Sequence, residues 1–234
     1  MTTSLLFVAL FSLSSVSLPP VDAPEVPEAS PPAVSSDEGP ILREPLNAKQ
    51  IITKLQAHYD DVTDLSASFE QRVVKTGSGL EISRSGSLFL KKPGLMRFDY
   101  TSPDAMFYVS DGTTLLQYLP QDQLVYKLGV RGSSLAGPFR FLVGGARIDE
   151  ELNLSPGGFA DEGARWRLTF TPKAASGAFR TLSLIVDKQS FDVRALVIID
   201  PLGNVNHLEL GVPSFDVLPR AGFDLAIPEG VRVQ

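Results

Sequence analysis

Gly86-Ser-Leu-Phe-Leu-Lys-Lys-Pro-Gly-Leu-Met-Arg-Phe-Asp-Tyr100 opens the stretch, running on to Leu128, that decides the fold. Strand-like Ser87–Lys91 is followed by Lys92-Pro93-Gly94, then by Leu95–Tyr100 and Thr101-Ser102-Pro103-Asp104. Phe107–Ser110 ends at Asp111-Gly112, Leu115–Leu119 ends at Pro120-Gln121-Asp122, and Leu124–Leu128 follows. Short β-rich runs separated by Pro-Gly, Pro-Asp and Asp-Gly turns predict an antiparallel meander. The intervals leave no room for crossover helices, so a parallel sheet is excluded here.

Upstream, Asn47-Ala-Lys-Gln50 has the spacing of a capping box. Ile51, Leu55, Tyr59 and Val62 repeat at helical intervals with Ile52 widening the stripe, which predicts a helix over 48–61. Strands are expected at 66–76 and 80–91, joined by Gly77-Ser-Gly79. Gly132–Leu152 interrupts the pattern: Gly137-Pro138, then Phe139, Leu142 and Val143, predict a short helix that Gly144-Gly145 would stop. Trp166–Thr171, Thr181–Asp187, Val193–Asp200, Val205–Gly211 and Phe223–Ile227 read as further strands. The sum is about ten or eleven antiparallel strands, one leading helix and one short central helical insert, with no internal repeat.

The front of the chain reads differently. Leu5–Val16 is an apolar run too short to span a bilayer, at the extreme N-terminus and ending in small residues. It is expected to be a secretory signal over residues 1–17, cleaved after Ser17, with Ala23 as the second choice. The n-region lacks Lys and Arg, and a buried N-terminal helix is the competing reading. From Leu18 to Pro45 there are eight prolines, six acids and one base, Arg43. Such a segment cannot bury apolar surface and is expected to be a disordered linker over 18–45, followed by one domain over 46–234. With six acids and one base before residue 46, the formal charge of −6 belongs mostly to the linker, and the folded part is nearly neutral. No basic surface argues for nucleic acid or anionic headgroups. The chain has no cysteine, so neither a disulfide nor a lipidated N-terminus is expected.

One face of the expected sheet is unusually apolar. Met96, Phe98 and Tyr100 alternate with Leu95, Arg97 and Asp99; Phe107 and Val109 with Tyr108 and Ser110; Trp166, Leu168 and Phe170 with Arg167, Thr169 and Thr171. Alternation means one dry face and one wet face. It leaves two readings open: a closed barrel or packed sandwich with an ordinary core, or an incompletely filled curved sheet with a lipid-sized cavity.

No catalytic constellation emerges. His58 and His207 lie far apart, without metal-ligand spacing, and no phosphate-binding glycine motif is present. Gly132-Ser-Ser-Leu-Ala136 echoes a nucleophile elbow but lacks its last glycine. Asp60-Asp61, Asp64 and Asp149-Glu150-Glu151 sit at element ends, where solvated charge is the ordinary explanation. No enzyme activity, metal or cofactor is expected.

The central motif resembles that of the periplasmic outer-membrane lipoprotein carrier family, LolA: Gly86–Tyr100, then Pro103, Val109-Ser-Asp-Gly112 and Tyr118. Leu65–Gln71 with its Phe-x-Gln, Thr169–Lys173, Asp200–Asn204 and Phe223–Val231 resemble further family segments, in the expected order. The resemblance implies a mainly β fold with a few helices: a single unclosed half β-barrel of about eleven antiparallel strands whose concave face is covered by helices. It implies a monomeric periplasmic carrier. Such a carrier takes acylated lipoproteins from an inner-membrane lipoprotein-releasing ABC transporter and delivers them to an outer-membrane lipoprotein acceptor. Shielding is needed, because each exposed ~16-carbon chain costs roughly 12 kcal/mol in water at about 0.8 kcal/mol per methylene. With no nucleotide motif, delivery would run downhill in affinity.

On this reading Phe69, Leu88, Leu90, Met96, Phe98, Phe107, Val109, Leu116, Tyr118, Trp166 and Phe170 line an acyl-chain cavity, and Ile51, Leu55, Lys92, Phe139 and Leu142 belong to the lid. Lys92 stands where the family has an arginine that holds the lid shut, and Met96 where it has an aromatic. Lys lacks arginine's planar fork. Its expected acceptors are backbone carbonyls near Leu135–Phe139. A periplasmic lipid or lipoprotein sensor with the same fold is the alternative; it would be expected to carry a second domain or an anchor.

Overall fold

Asn47 starts the first helix as its spacing predicts. Its side chain accepts a hydrogen bond from the Gln50 N–H at 3.0 Å, and the Gln50 side chain accepts one from the Asn47 N–H at 2.9 Å. The capping box satisfies two of the N–H groups that a helix leaves unpaired at its start. Helix α1 (Ala48–Asp61) then buries Ile51, Leu55 and Tyr59. A computed structural model describes residues 45–130, 139–144, 146–174, 179–225, 227 and 229–234. The predicted leader, the linker up to Glu44, and Gly137-Pro138 lie outside the described residues.

The chain continues as β1 (Asp64–Lys75), β2 (Leu80–Lys91), β3 (Leu95–Ser102), β4 (Met106–Ser110), β5 (Thr114–Leu119) and β6 (Leu124–Gly129). After α2 (Ile148–Glu151) come β7 (Leu152–Glu162), β8 (Arg165–Pro172), β9 (Thr181–Asp187), β10 (Val193–Ile199), β11 (Val205–Leu210) and β12 (Arg232–Val233). All belong to one open sheet in the order β12-β6-β5-β4-β3-β2-β1-β11-β10-β9-β8-β7. Neighbours run antiparallel except β12, which lies parallel to β6. The sheet does not close: β7 and β12 are its two edges.

The turns of the quoted motif are built on glycine. A Cβ on Gly86 would lie 2.0 Å from the Asp99 carbonyl oxygen, where the β2–β3 register shifts. Gly94 has φ +74°, and a Cβ there would lie 2.9 Å from the Gly112 Cα, so the β2–β3 and β4–β5 turns touch through glycine alone.

Several elements depart from the sequence reading, which also lacks α2 and the short parallel β12. β7 was not expected, because Pro156-Gly157-Gly158 reads as a break. The sheet absorbs that triplet as an irregularity between Leu154 and Phe159, on an edge strand, where a proline removes no needed ladder bond. The strand expected at Phe223–Ile227 begins instead with a 3₁₀ turn, Arg220–Phe223. The predicted short helix around Phe139 is a single turn, in which the Phe139 carbonyl accepts from the Leu142 and Val143 N–H groups.

Candidate functional site

Register assigns each side chain to a face. Phe98 stands opposite Leu88 on β2 and Tyr108 on β4, Met96 opposite Leu90 and Ser110, and Phe69 opposite Leu210. On the other half, Trp166, Leu168 and Phe170 stand opposite Val186, Leu184 and Leu182. These residues and α1 share one apolar interior on the concave face. Phe69, Leu88, Leu90, Met96, Phe98, Trp166 and Phe170 are brought together there with Ile51, Leu55, Phe139 and Leu142. The rings interlock edge to face: Phe69–Phe98 centroids are 5.5 Å apart, Phe98–Phe139 5.3 Å and Tyr59–Phe141 5.9 Å. Such pairs add about 0.5–1.5 kcal/mol each beyond burial.

Four residues read as cavity-lining lie on the opposite face. Arg97 stands opposite Val109, and Asp99 opposite Phe107. Val109 in turn stands opposite Leu116, and Phe107 opposite Tyr118. Phe107, Val109, Leu116 and Tyr118 are therefore on the convex side, with Arg97. Tyr108, Met106 and Leu115 take the concave positions. The alternation Phe107-Tyr108-Val109-Ser110 favours Phe107 and Val109 as the dry pair, but register with Phe98 and Met96 turns Tyr108 and Ser110 inward instead.

The convex side is crossed by the C-terminal segment. Gly211 and Ser214 bond backbone to backbone with Ser68 and Ser66, and the Leu218 N–H donates to Asp64 Oδ1 at 3.0 Å. Arg97 Nη1 then donates to the Gly222 carbonyl at 2.7 Å, and Gln234 bonds to Val125 and Lys127. Asp64 also accepts from Lys91 Nζ at 2.7 Å and from the Thr63 hydroxyl at 2.9 Å. Burial disfavours its charge, but these bonds outweigh burial and hold the carboxyl below the usual range. Asp64 is thus a buried anchor for the C-terminal strap, not a solvated charge.

Lys92 joins the lid elements differently from the expectation. Its Nζ donates to the Tyr59 carbonyl, and to the Asp60 carbonyl at 3.2 Å, in the last turn of α1. Those carbonyls lack helical partners and carry the negative end of the helix dipole, so an ammonium is well placed there. Its aliphatic stem runs beside Gly144, where an added Cβ would lie 3.1 Å from Lys92 Cδ. The Gly94 N–H donates to the Val143 carbonyl at 3.0 Å. The Lys92-Pro93-Gly94 turn therefore touches both α1 and the 139–144 turn. Burial lowers the Lys92 pKa, and the nearby Asp60 and Asp61 carboxylates oppose that shift.

Other polar clasps hold α1. Gln56 accepts from the Ile148 N–H at 2.8 Å, Arg147 meets Asp60 at 3.3 Å, and His58 meets Asp192 at 3.1 Å. The Tyr59 hydroxyl accepts from the Val193 N–H at 2.9 Å, and burial pushes the phenol up. Sequence periodicity found Tyr59 on the helix stripe but carried no signal of its hydrogen bond to the start of β10. Among the described residues there is no cluster of three or more metal-ligating side chains.

An open antiparallel sheet that wraps an apolar concave face, with a helix clasped across it, defines the class of unclosed half-barrels. The model of the outer membrane lipoprotein carrier protein LolA family matches residues 60–221, and the chain belongs to that family. An outer-membrane lipoprotein carrier protein of Chromobacterium violaceum is 30% identical over 187 residues, covering 78% of this chain and 86% of that protein. One from Yersinia pestis bv. Antiqua (strain Angola) is 26% identical over 182 residues, covering 77% and 86%. The crystal structure of an uncharacterized conserved protein from Thermus thermophilus shares the fold, with TM-score 0.51 and 14% identity over 80% of this chain and 98% of that one.

Proposed function

We propose that this protein is a periplasmic carrier that binds the acyl chains of lipoproteins released from the inner membrane and delivers them to the outer membrane. The observation that carries the reading is the cover of the concave face. α1 and the 139–144 turn fill the apolar interior, yet the Lys92-Pro93-Gly94 turn joins the two through a few polar contacts at their ends. Displacing them would expose Phe69, Leu88, Leu90, Met96, Phe98, Trp166 and Phe170 to an acyl chain. The energy of burying a chain, about 0.8 kcal/mol per methylene, exceeds what those contacts supply.

Membership of the family and the names of the relatives support a lipoprotein cargo. The donor would be a lipoprotein-releasing ABC transporter and the recipient an outer-membrane acceptor. Residues 1–17 would act as a cleaved leader, and 18–45 as a tether ahead of the carrier domain. Purified, detergent-free protein incubated with inner-membrane vesicles should emerge with bound lipoprotein detectable by mass spectrometry. Protein that emerges without acylated cargo defeats the reading.

A further inference from the structure

Beyond the aromatic interior, β1, β2, β10 and β11 extend the concave face into a cleft of about 320 Å³. Its floor is apolar, with Met106 and Ile198, but three polar features point into it. Gln71 is 6% exposed, and its Nε2 donates to Asn206 Oδ1 at 3.0 Å, while its Oε1 is buried without a hydrogen-bond partner. Arg84 stands opposite Gln71 on the same face, and no carboxylate among the described residues pairs with it. The Tyr100 hydroxyl lies against the Gln71 side chain, and it and the Tyr108 hydroxyl lie within the electrostatic reach of Arg84; burial keeps both phenols protonated. Lys75 and Asp200 also line the cleft, but they interact with each other, and the Asp200 carboxylate is occupied by the Leu202 and Asn204 N–H groups and the Asn204 amide.

The cleft opens directly onto the interior. The Tyr100 ring is 4.9 Å from Phe69, centroid to centroid, and 5.8 Å from Tyr108. A ligand whose chains occupied the interior would therefore place its head among Arg84, Gln71 and the two phenols. An orphaned buried carbonyl demands a donor, and an unpaired guanidinium demands an anion whose oxygens match its fork.

We propose that the Arg84–Gln71 cleft binds the phosphate-bearing head group of a diacyl lipid, the phosphate on Arg84 and a head-group hydroxyl on Gln71 Oε1. The inference rests on the acyl-carrier reading and extends it from lipoproteins to phospholipids.

The test mixes the full chain with phosphatidylglycerol vesicles doped with diacylglycerol of the same chains, the uptake of each lipid being normalised to its share of the vesicle. The protein is then separated from the vesicles, and its lipid is quantified by mass spectrometry. Phosphatidylglycerol should be acquired about tenfold better than diacylglycerol, and Arg84→Gln should remove that preference while leaving diacylglycerol uptake unchanged. Inorganic phosphate serves as the control ligand and should not displace bound lipid. Equal uptake of the two lipids by the wild type, or an undiminished preference in Arg84→Gln, overturns this inference alone. Arg84-dependent phosphate binding without phosphatidylglycerol uptake makes the cleft a small-anion site and overturns it too. Uptake of no lipid at all overturns this inference and leaves the carrier reading to its lipoprotein test.

Discussion

The two faces of the sheet are covered in different ways. The concave face is covered by α1, held by side-chain bonds (Lys92 to its last carbonyls, His58 to Asp192 and Gln56 to the Ile148 N–H of α2), and by the 139–144 turn, held by a single backbone bond from the Gly94 N–H to the Val143 carbonyl. The convex face is crossed by a strap that is hydrogen-bonded backbone to backbone at both ends and anchored on the buried Asp64. A backbone ladder comes apart only with the fold, whereas a few side-chain bonds can be exchanged for ligand contacts. On the proposed carrier reading, the difference makes the concave cover the one a ligand would displace.

The comparison breaks first at Phe98. This ring is fully buried, and Phe98→Ala should destabilise the protein by about 3–5 kcal/mol in a denaturant titration. Tyr118→Ala, at a half-buried convex site, should cost well under half of that. Photo-crosslinkers sharpen the same contrast: one at Phe98 should capture acylated cargo and one at Leu116 should not. Equal capture would mean that the convex face also binds lipid.

Lys92→Leu acts on the concave cover. Lys92 is only half-buried, so the low end of a charge-assisted hydrogen bond applies, about 1.5 kcal/mol, which favours an opened lid roughly tenfold. Hydrogen exchange should quicken in α1, and bound lipoprotein should be released less readily, because binding no longer has to break that contact. Lys92→Arg should keep the lid shut. Unchanged exchange in Lys92→Leu would show that the bond to α1 contributes nothing.

Asp64→Asn acts on the fixed cover. Replacing the carboxylate leaves Lys91 without its ion pair and should cost about 1–2 kcal/mol in a thermal melt, without changing exchange in α1. The Asp64 carboxyl is held below its unfolded value, so its contribution is full above about pH 4 and is lost as pH falls through the lower folded pKa. Asp64→Asn should therefore flatten the acid limb of the stability profile. An unaltered limb would place the acid sensitivity elsewhere. The smallest effect is at the start of α1: Asn47→Ala removes the capping box and should cost about 1 kcal/mol, seen as faster exchange in the first turn of the helix alone.

Local chemistry made much of this architecture legible in the sequence. The capping box of Asn47 and Gln50 and the apolar stripe at Ile51, Leu55 and Tyr59 determined α1 to the residue, because both signals act within a few positions of one another. Pro93-Gly94, Pro103-Asp104 and Asp111-Gly112 placed the turns of the meander for the same reason. Tertiary structure alone decided which face of β4 and β5 looks inward. Phe107, Val109, Leu116 and Tyr118 are at least as apolar as the inward set, which includes Ser110 and Gln117, and a shift of one residue in register exchanges the two sets. It also decided the partner of Lys92 and the role of Asp64. Those depend on where the end of α1 and the strap residue Leu218 arrive in space, 32 and 154 residues away along the chain. Hydrogen bonds across such separations have no periodicity for a sequence to display.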